Sequence, residues 1–404
     1  MKTVLPILVL GAVLASSGNV LAQDKLVKIG VLTDLSGLYS DFTGQGSTLA
    51  AEMAIQDSGL NKKGWTVELV SADTQNKPDI GTNIARQWYD VGAVDIILDV
   101  PNSGIALAVS NIAKEKNKIL IVSASGASDL TNAQCTPNTI HWTYDTYAVA
   151  HGTGESLVKL GGNTWFFIAA DYAFGAALQR DTAAVVEESG GTIAGVVRHP
   201  LNTSDFSSFL LQAQSSKAKV IGLANAGGDT TNAIKQAAEF GIVSAGQKLV
   251  PLLMFITDVH SLGLNVAQGL TFTETFYWDL NDQTREFSKR FSERMKTHAM
   301  PTMAQAGVYS SVLHYLKVLE KEGGNPHDGA KIVAAMKAMP TNDPLFGKGE
   351  IQPNGRKIHP AHLFEVKKPS ESKAPWDYYK LISTIPADRA FTPLKQSTCA
   401  LLGN

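Results

Sequence analysis

Apolar and polar residues alternate in blocks along the start of the chain, and the blocks predict strands and helices in turn. Residues 27–32 form a short, mostly β-branched run that ends in a polar loop, which is typical of a buried strand. Residues 47–58 then place apolar side chains at helical spacing, and Gly59 ends that helix. The same pattern predicts strands at 66–71, 94–100 and 119–123 and helices at 80–89 and 104–116.

A second run of the same kind begins near residue 164, after a segment at 140–147 that we expect to be a crossover. Serial alternation of strands and helices with short loops implies parallel sheets with helices on both faces. The sequence therefore predicts an α/β protein with two doubly wound parallel sheets. The elements of the second run are strands at 164–169, 191–197, 220–224 and 249–256 and helices at 175–189, 206–216 and 229–240.

The pattern changes beyond residue 270. Residues 271–277 are expected to be extended, and the apolar residues at 363–366 and 378–382 suggest an antiparallel pair at a sheet edge. Three helices are predicted between these segments, at 283–297, 304–322 and 329–339.

The first residues have the pattern of a secretory signal peptide. Lys2 precedes an apolar run at 4–15, which is too short for the roughly 20 residues of a spanning helix, and a small-residue stretch ends at Ala22. We expect removal of residues 1–22 and a soluble, exported protein. The remaining length favours two domains at roughly 150 residues each.

The charge and the two cysteines narrow the possible partners. With 35 Lys and Arg against 37 Asp and Glu, the chain has no basic excess for a nucleic-acid backbone, so we expect no nucleic-acid partner. In an oxidising compartment, Cys135 and Cys399 are most simply explained as one disulfide, and two unrelated buried thiols are the alternative. The nine histidines are scattered, so we expect no metal site and no cofactor.

The chemistry of common enzymes is absent from the sequence, whereas binding loops are present. We find no phosphate-binding loop, no nucleophile elbow and no HExxH pair, and we therefore expect no catalytic residues. Hydroxyl and small residues follow the predicted strands, where open α/β sheets bind ligands and free N–H groups attract anions. They are Ser103 and Gly104 after one strand, and Ser125, Gly126 and Ala127 after the next. Helix capping and turn formation are the simpler explanation of each loop taken alone.

Similar positions occur elsewhere in the two runs. Tyr39 lies in the long first loop, where an aromatic face could cover an apolar ligand. In the second run, the corresponding strand ends carry Tyr172, Phe174, Asn225, Gly227 and Asp258. A carboxylate such as that of Asp258 at the mouth of a cleft could pair with an ammonium group or accept from a hydroxyl.

These residues together resemble the periplasmic solute-binding proteins of ABC importers, specifically the leucine/isoleucine/valine-binding type. The resemblance spans nearly the whole mature chain. It is most specific in the stretch IGVLTDLSG at 29–37, in Asp73, in Asp129-Leu130-Thr131 and in DYAFG at 171–175.

The resemblance implies a clamshell of two lobes joined by three crossover segments. It implies lobe 1 at 27–144 plus 277–350, lobe 2 at 145–276 plus 351–385, and a tail at 386–404 that the disulfide would tie to lobe 1. A ligand carboxylate would then meet Ser103, Ser125, Gly126 and Ala127, with Tyr39 packed on the ligand body, while Phe174, Asn225, Gly227 and Asp258 would approach from lobe 2.

The resemblance also bears on the ligand. Phe174 stands where the amino-acid binders usually have tyrosine, and Asp258 stands where a glutamate binds the amino group. A subgroup with similar sequence at 224–229 and 276–281, which tends to have the cysteine pair, is associated with aromatic carboxylates. We therefore favour a non-amino-acid carboxylate, aromatic or branched, over a leucine-like amino acid.

The implied function is that of a monomeric, non-enzymatic receptor that delivers a small carboxylate to an ABC permease in the inner membrane. Two alternatives stay open at this point. The protein could be the ligand-binding partner of a membrane sensor, or an enzyme that uses the same cleft.

Overall fold

The computed structural model describes residues 25–322 and 325–403. The predicted signal peptide lies outside these residues. Within them, no helix has the length and apolar character needed to cross a bilayer.

The first lobe is built on a parallel sheet of five strands in the order β2-β1-β3-β4-β5. Apolar side chains fill both faces, because α2 and α3 cover one face while later helices pack with α1 on the other. The elements are β1 (Leu26–Thr33), α1 (Gly44–Ser58), β2 (Thr66–Asp73), α2 (Pro78–Asp90), β3 (Ile96–Asp99), α3 (Ser103–Glu115), β4 (Ile119–Val122) and β5 (Thr139–His141).

The second lobe is built on a parallel sheet of four strands in the order β7-β6-β8-β9. The two parallel sheets confirm the predicted fold class. The elements are α4 (Thr146–Lys159), β6 (Thr164–Ala170), α5 (Ala173–Glu188), β7 (Thr192–His199), α6 (Ser207–Ser215), β8 (Val220–Ala224), α7 (Gly228–Glu239), β9 (Lys248–Pro251), α8 (Ile256–Leu262) and α9 (Leu264–Ala267).

The rest of the chain serves both lobes. The long helix α11 packs on α1, whereas β10, β14 and β15 form an antiparallel sheet against α4. This sheet confirms the predicted antiparallel pair. The elements are β10 (Thr271–Glu274), α10 (Asp282–Arg294), α11 (Met303–Glu322), α12 (Gly329–Ala338), β11 (Thr341–Asp343), β12 (Gly347–Ile351), β13 (Lys357–Ile358), β14 (Ala361–Val366), β15 (Tyr379–Ile385) and α13 (Ala387–Ala390).

Two of the differences from the sequence prediction have a clear structural cause. The strand predicted at 249–256 ends at Pro251, and α8 begins at Ile256, because the Asp258 carboxylate accepts from the Phe255 N–H at 2.9 Å and starts the helix. The helix α4 was not predicted, since Gly152 and Gly154 weaken its pattern. Gly152 is needed there, because a Cβ would lie 2.4 Å from the Thr273 hydroxyl of β10.

A buried arginine joins the segments that pass between the lobes. Arg356, which is 1% exposed, donates to the Tyr144 carbonyl at 3.0 Å and lies 3.6 Å from the Asp145 carboxylate. Its guanidinium also stacks over the ring of Phe391 in the C-terminal tail, 4.4 Å from the ring centroid. The chain at residues 144–145, the segment at residue 356 and the C-terminal tail are therefore held together at one point. The lobe boundaries at residues 144, 276 and 350 stay predictions.

The predicted disulfide is confirmed. Cys135 and Cys399 are bonded, with their Cα atoms 5.6 Å apart and a sequence separation of 264. The bond fastens the C-terminal tail to the segment that follows β4. In addition, the Asn354 side-chain amide donates to the Thr131 carbonyl at 2.9 Å, so the return segment is fixed to the same place.

We predict that replacing both cysteines with serine (C135S/C399S) lowers the free energy of unfolding by about 2–4 kcal/mol, because the open chain gains conformational entropy when unfolded. Urea unfolding followed by circular dichroism measures the change. Wild-type protein kept reduced during unfolding is the control and should match the variant. Equal midpoints for oxidised wild type and variant would contradict the prediction.

Candidate functional site

The candidate site lies where the carboxyl ends of the two parallel sheets face each other. In each sheet the strand order reverses beside the first strand, and ligands of doubly wound sheets bind at such a switch point. The loops that follow β1 and β4 in the first lobe meet the chain that follows β6 and β8 in the second. The sequence-predicted residues all lie in or next to these loops and the loops after β3 and β9.

The loop after β1 is held rigidly by a buried carboxylate. Asp34 accepts from the N–H groups of Gly37 at 2.7 Å and Tyr39 at 2.9 Å, which folds the loop back on itself. The Thr302 hydroxyl donates to the Phe42 carbonyl at 2.7 Å and fixes the far end. The rings of Tyr39 and Phe42 are thereby directed at the second lobe.

The turn after β3 is strained. Asp99 and Val100 have φ angles of +77° and +50°, a region that a β-branched residue adopts rarely and at a cost of order 1–3 kcal/mol. The turn brings Asn102 into position to cap α3, and its Oδ1 accepts from the Gly104 N–H at 2.9 Å. The Gly104 amide is therefore engaged in the cap, whereas Ser103 begins the helix at the cleft.

The segment after β4 combines bonded carbonyls with two amides that have no partner among the described residues. The carbonyls of residues 124–126 all accept from the chain that crosses to the second lobe. The N–H groups of Ser125 and Gly126 make no hydrogen bond to the part of the chain that the structure describes. The Tyr144 hydroxyl donates to the carbonyl of residue 124. The His141 Nε2 donates to the Ser125 carbonyl at 2.7 Å, and the Thr146 N–H donates to the Gly126 carbonyl at 2.7 Å.

Two serine hydroxyls complete this side of the site. Ser125 donates its hydroxyl to the Val100 carbonyl, so it braces the strained turn. The Ser103 hydroxyl oxygen accepts from the Ala127 N–H at 3.3 Å, which leaves its proton free to be donated to another acceptor. This side of the cleft therefore offers hydrogen-bond donors without a cationic side chain.

Two of the second-lobe residues have structural duties. Asn225 donates to His199 Nε2 at 3.0 Å and accepts from the Thr230 hydroxyl at 2.7 Å, so its amide is directed into its own lobe. Burial lowers the pKa of His199 and keeps the ring a neutral acceptor. Gly227 adopts a φ of +57°, and a Cβ there would lie 2.9 Å from the Leu38 carbonyl oxygen of the first lobe. The lobes are thus in direct contact.

Aromatic rings fill the seam between the lobes. Phe42 stacks on Phe255 with ring centroids 4.1 Å apart and planes 8° from parallel, and Tyr144 meets the same ring edge-on at 6.2 Å. Phe174 lies against the backbone of Gly126, where a Cβ would be 2.8 Å from its ring. Together with Tyr39 and Tyr172, these four residues form what we call the aromatic cluster.

A single hydrogen bond joins the two lobes inside this cluster. The hydroxyls of Tyr39 and Tyr172 are 2.6 Å apart. Burial raises the pKa of both phenols, so both stay protonated. Only one of the two protons can occupy the shared bond, and the other is available to an acceptor between the lobes.

Asp258 supplies the carboxylate of the second lobe. It is 5% exposed, and burial raises its pKa to about 7, with Asp41 across the seam adding to the effect. Behind it, Glu274 accepts from the Tyr379 hydroxyl at 2.8 Å, and burial raises the pKa of Glu274 well above its ordinary value. At neutral pH this side of the cleft is therefore only partly charged.

The structure describes a closed arrangement. Tyr39 and Phe174 are each 2% exposed, so a molecule can reach the aromatic cluster only when the lobes separate. A groove of about 450 Å³ opens beside the cluster, with Thr43 on one wall and Thr257 on the other. Across residues 25–322 and 325–403, no cluster of three or more His, Cys, Asp or Glu side chains is placed to hold a metal ion.

Sequence reasoning missed several residues of the site. Phe42 lies three residues after Tyr39 in the same loop, and Phe255 lies three residues before Asp258. Both are therefore close in sequence to a predicted site residue. Tyr144 and His141 lay in a segment that was predicted only as a crossover. Their roles depend on a long-range contact that no local pattern signals.

The chain matches a family model described as "Periplasmic binding protein" over residues 26–373. It is also similar to a periplasmic binding protein from Burkholderia mallei, with 52% identity and a TM-score of 0.90. That comparison covers 93% of this chain and 99% of the other.

Two further relatives carry more specific names. One is a branched chain amino acid ABC transporter periplasmic ligand-binding protein from Burkholderia xenovorans LB400, with 40% identity, a TM-score of 0.82, and 93% of this chain and 99% of that chain covered. The other is the Leu/Ile/Val-binding protein homolog 6 of Brucella melitensis biotype 1. It is 25% identical over 355 residues, which are 86% of this chain and 89% of the relative.

Proposed function

The chain belongs to the periplasmic binding protein family and is a solute-binding protein of the ABC transporter type, and from this premise we propose that it captures a small aromatic carboxylate between its two lobes. We further propose that it does so in the periplasm and delivers the closed complex to a permease in the inner membrane. Family membership decides against the enzyme alternative, because members of this family are solute-binding proteins.

The aromatic cluster is the observation that carries the proposal. It holds aromatic rings from both lobes, and a planar ligand ring that enters when the lobes separate would make the same stacked and edge-on contacts with them. Because rings of both lobes would touch the ligand, the ligand would bind the closed form more tightly than the open form. That difference in affinity is what shifts the equilibrium to closure.

The first lobe supplies the groups that would hold the carboxylate. We assign this role to the N–H groups of Ser125 and Gly126 and to the Ser103 hydroxyl, which together provide three neutral donors. The spare phenolic proton of Tyr39 or Tyr172 provides a fourth on the opposite side. Backbone amides are fixed in advance, so little entropy is lost when the anion binds.

We predict that ligand-stripped, refolded protein is stabilised by benzoate and 4-hydroxybenzoate but not by leucine, isoleucine or valine. At ~1,000 times its dissociation constant, a compound that binds only the folded protein adds about 4 kcal/mol to the free energy of unfolding. A thermal-shift assay followed by calorimetric titration measures this. A response to the aliphatic amino acids alone would overturn the aromatic assignment, and silence in both panels would overturn the carboxylate assignment.

A branched-chain amino acid is the second candidate, and Asp258 is the observation that favours it. Its carboxylate is buried at the seam, where an ammonium group could pair with it. The name of the Burkholderia xenovorans relative, at 40% identity, points to the same class.

The pH dependence of binding separates the two candidates, because the pKa of Asp258 is raised to about 7. A ligand without an ammonium group favours protonated Asp258, so we predict that its association constant falls as the pH rises above about 7, by up to tenfold per unit. An amino acid favours the ionised form, and its affinity would rise up to about pH 7 and then level off. Calorimetric titration between pH 5.5 and 8.5 measures the profile.

Two variants control the pH experiment. D258N should flatten the profile, because the titrating group is lost. D229N is the matched control, since the pKa of Asp229 is also raised to about 7 by burial, but its carboxylate is held by the Asn202 and Thr203 amides at 3.3 and 2.9 Å. A profile that D229N flattens and D258N leaves unchanged would show that Asp258 does not face the ligand.

Closure itself can be tested at Gly227. We predict that G227A weakens the binding of 4-hydroxybenzoate at least tenfold, because the new methyl group would meet the Leu38 carbonyl oxygen at 2.9 Å and the Tyr39 ring at 3.3 Å. G190A is the matched control. Gly190 also has a positive φ, of +86°, but a Cβ there meets nothing within 4 Å. Equal affinities for G227A and G190A would mean that the two loops do not meet in the bound state.

A further inference from the structure

A polar network joins the two lobes at a second place, away from the aromatic cluster. Arg180 on α5 of the second lobe donates to the Asp129 carboxylate at 3.2 Å and to the Ser128 hydroxyl at 2.8 Å, both in the loop after β4 of the first lobe. The Ser128 hydroxyl in turn donates to the Asp181 carboxylate at 2.7 Å. None of these side chains belongs to the carboxylate site or to the aromatic cluster.

The network is tied to the crossing chain as well. The Thr146 hydroxyl, at the start of α4, donates to Asp181 at 2.5 Å and accepts from the Ser128 N–H at 3.1 Å. Arg180 also donates to Asp181 at 2.9 Å, so the cation stands between two carboxylates. Arg180, Asp181 and Thr146 therefore each bond directly to the loop after β4 of the first lobe.

We propose that Arg180 is a positioning residue that sets ligand affinity from outside the cleft, by holding the lobes closed through Asp129 and Ser128. This inference rests on the proposed function, since it assumes that the closed form is the ligand-binding form. The lobes must separate to admit a ligand, and the ion pair joins loops of opposite lobes. Separation therefore breaks it, and its strength adds to the stability of the closed form alone.

The exposure of the partners sets the size of the effect. The side chains of Arg180 and Asp129 are 53% and 23% exposed, so solvent and salt weaken their attraction. We expect R180Q and D129N each to weaken the binding of 4-hydroxybenzoate about two- to fivefold, which is the range of measured exposed ion pairs. The loss should appear as faster dissociation with little change in the association rate, because the network forms only after the lobes meet.

A double-mutant cycle tests whether Arg180 and Asp129 act through one contact that holds the lobes closed. The combined variant R180Q/D129N should weaken binding no more than the stronger single variant, because the two residues act through one contact. The affinity of the variants should also depend less on salt, between 0.05 and 0.5 M, than the affinity of the wild type does. D90N is the matched control, since it removes an ion pair of 2.8 Å with Lys116 that lies wholly in the first lobe. It should leave the dissociation rate unchanged.

A second measurement needs no ligand. Spin labels introduced by K62C and K217C report the distance between the lobes, and among the described residues no free cysteine would compete for the label. In ligand-free protein, D129N should shift the distance distribution toward the open population, and D90N should not. This result stands even if 4-hydroxybenzoate proves not to bind, in which case affinity is measured with L-leucine.

Two results would overturn the inference. The first is unchanged dissociation in R180Q and D129N, with the tested compound bound as in wild type. The second is additive losses in the double variant together with an unshifted distance distribution. A failure of both 4-hydroxybenzoate and L-leucine to bind would instead count against the proposed function, and the ligand-free distance distributions would still decide the role of Arg180.

Discussion

The buried charge of Arg356 is the constraint on which the geometry of the site depends. Its guanidinium fixes the Tyr144 carbonyl, and the Tyr144 hydroxyl in turn fixes the Ala124 carbonyl. Burial lowers the pKa of Arg356 to about 10 and raises that of Asp145 to about 6, so each group pays for its desolvation and neither tolerates loss of the other.

The result is a candidate site whose donors on the first lobe are neutral amides and a hydroxyl. Residues 124–126 give their carbonyls to the crossing chain, whereas the N–H groups of Ser125 and Gly126 have no partner in the part of the chain that the structure describes. The strained turn at Asp99 and Val100 also helps to hold this segment, because its Val100 carbonyl accepts from the Ser125 hydroxyl.

The sequence was sufficient for the parts of the structure that local pattern controls. Alternating strands and helices predicted both sheets, and the same pattern predicted that loops such as the one at Ser103 lie at the carboxyl ends of strands. The helix α4 was not predicted, because Gly152 allows close packing on β10 but has a low helix propensity. The partners of Phe42 and Tyr144 escaped for a different reason. Their contacts form only where two lobes meet, and lobe docking leaves no periodic trace in the chain.

Apolar and polar contacts between the lobes do different work. Ring stacking such as that of Phe42 on Phe255 favours closure but tolerates sliding, because hydrophobic contact has little directional preference. The hydroxyl pair of Tyr39 and Tyr172 and the ion pair of Arg180 do not tolerate it, since hydrogen bonds weaken steeply when their angles change. The polar contacts lie at two separated places along the seam, so together they favour one relative orientation of the lobes. A ligand that forced another orientation would lose both contacts and would therefore bind more weakly.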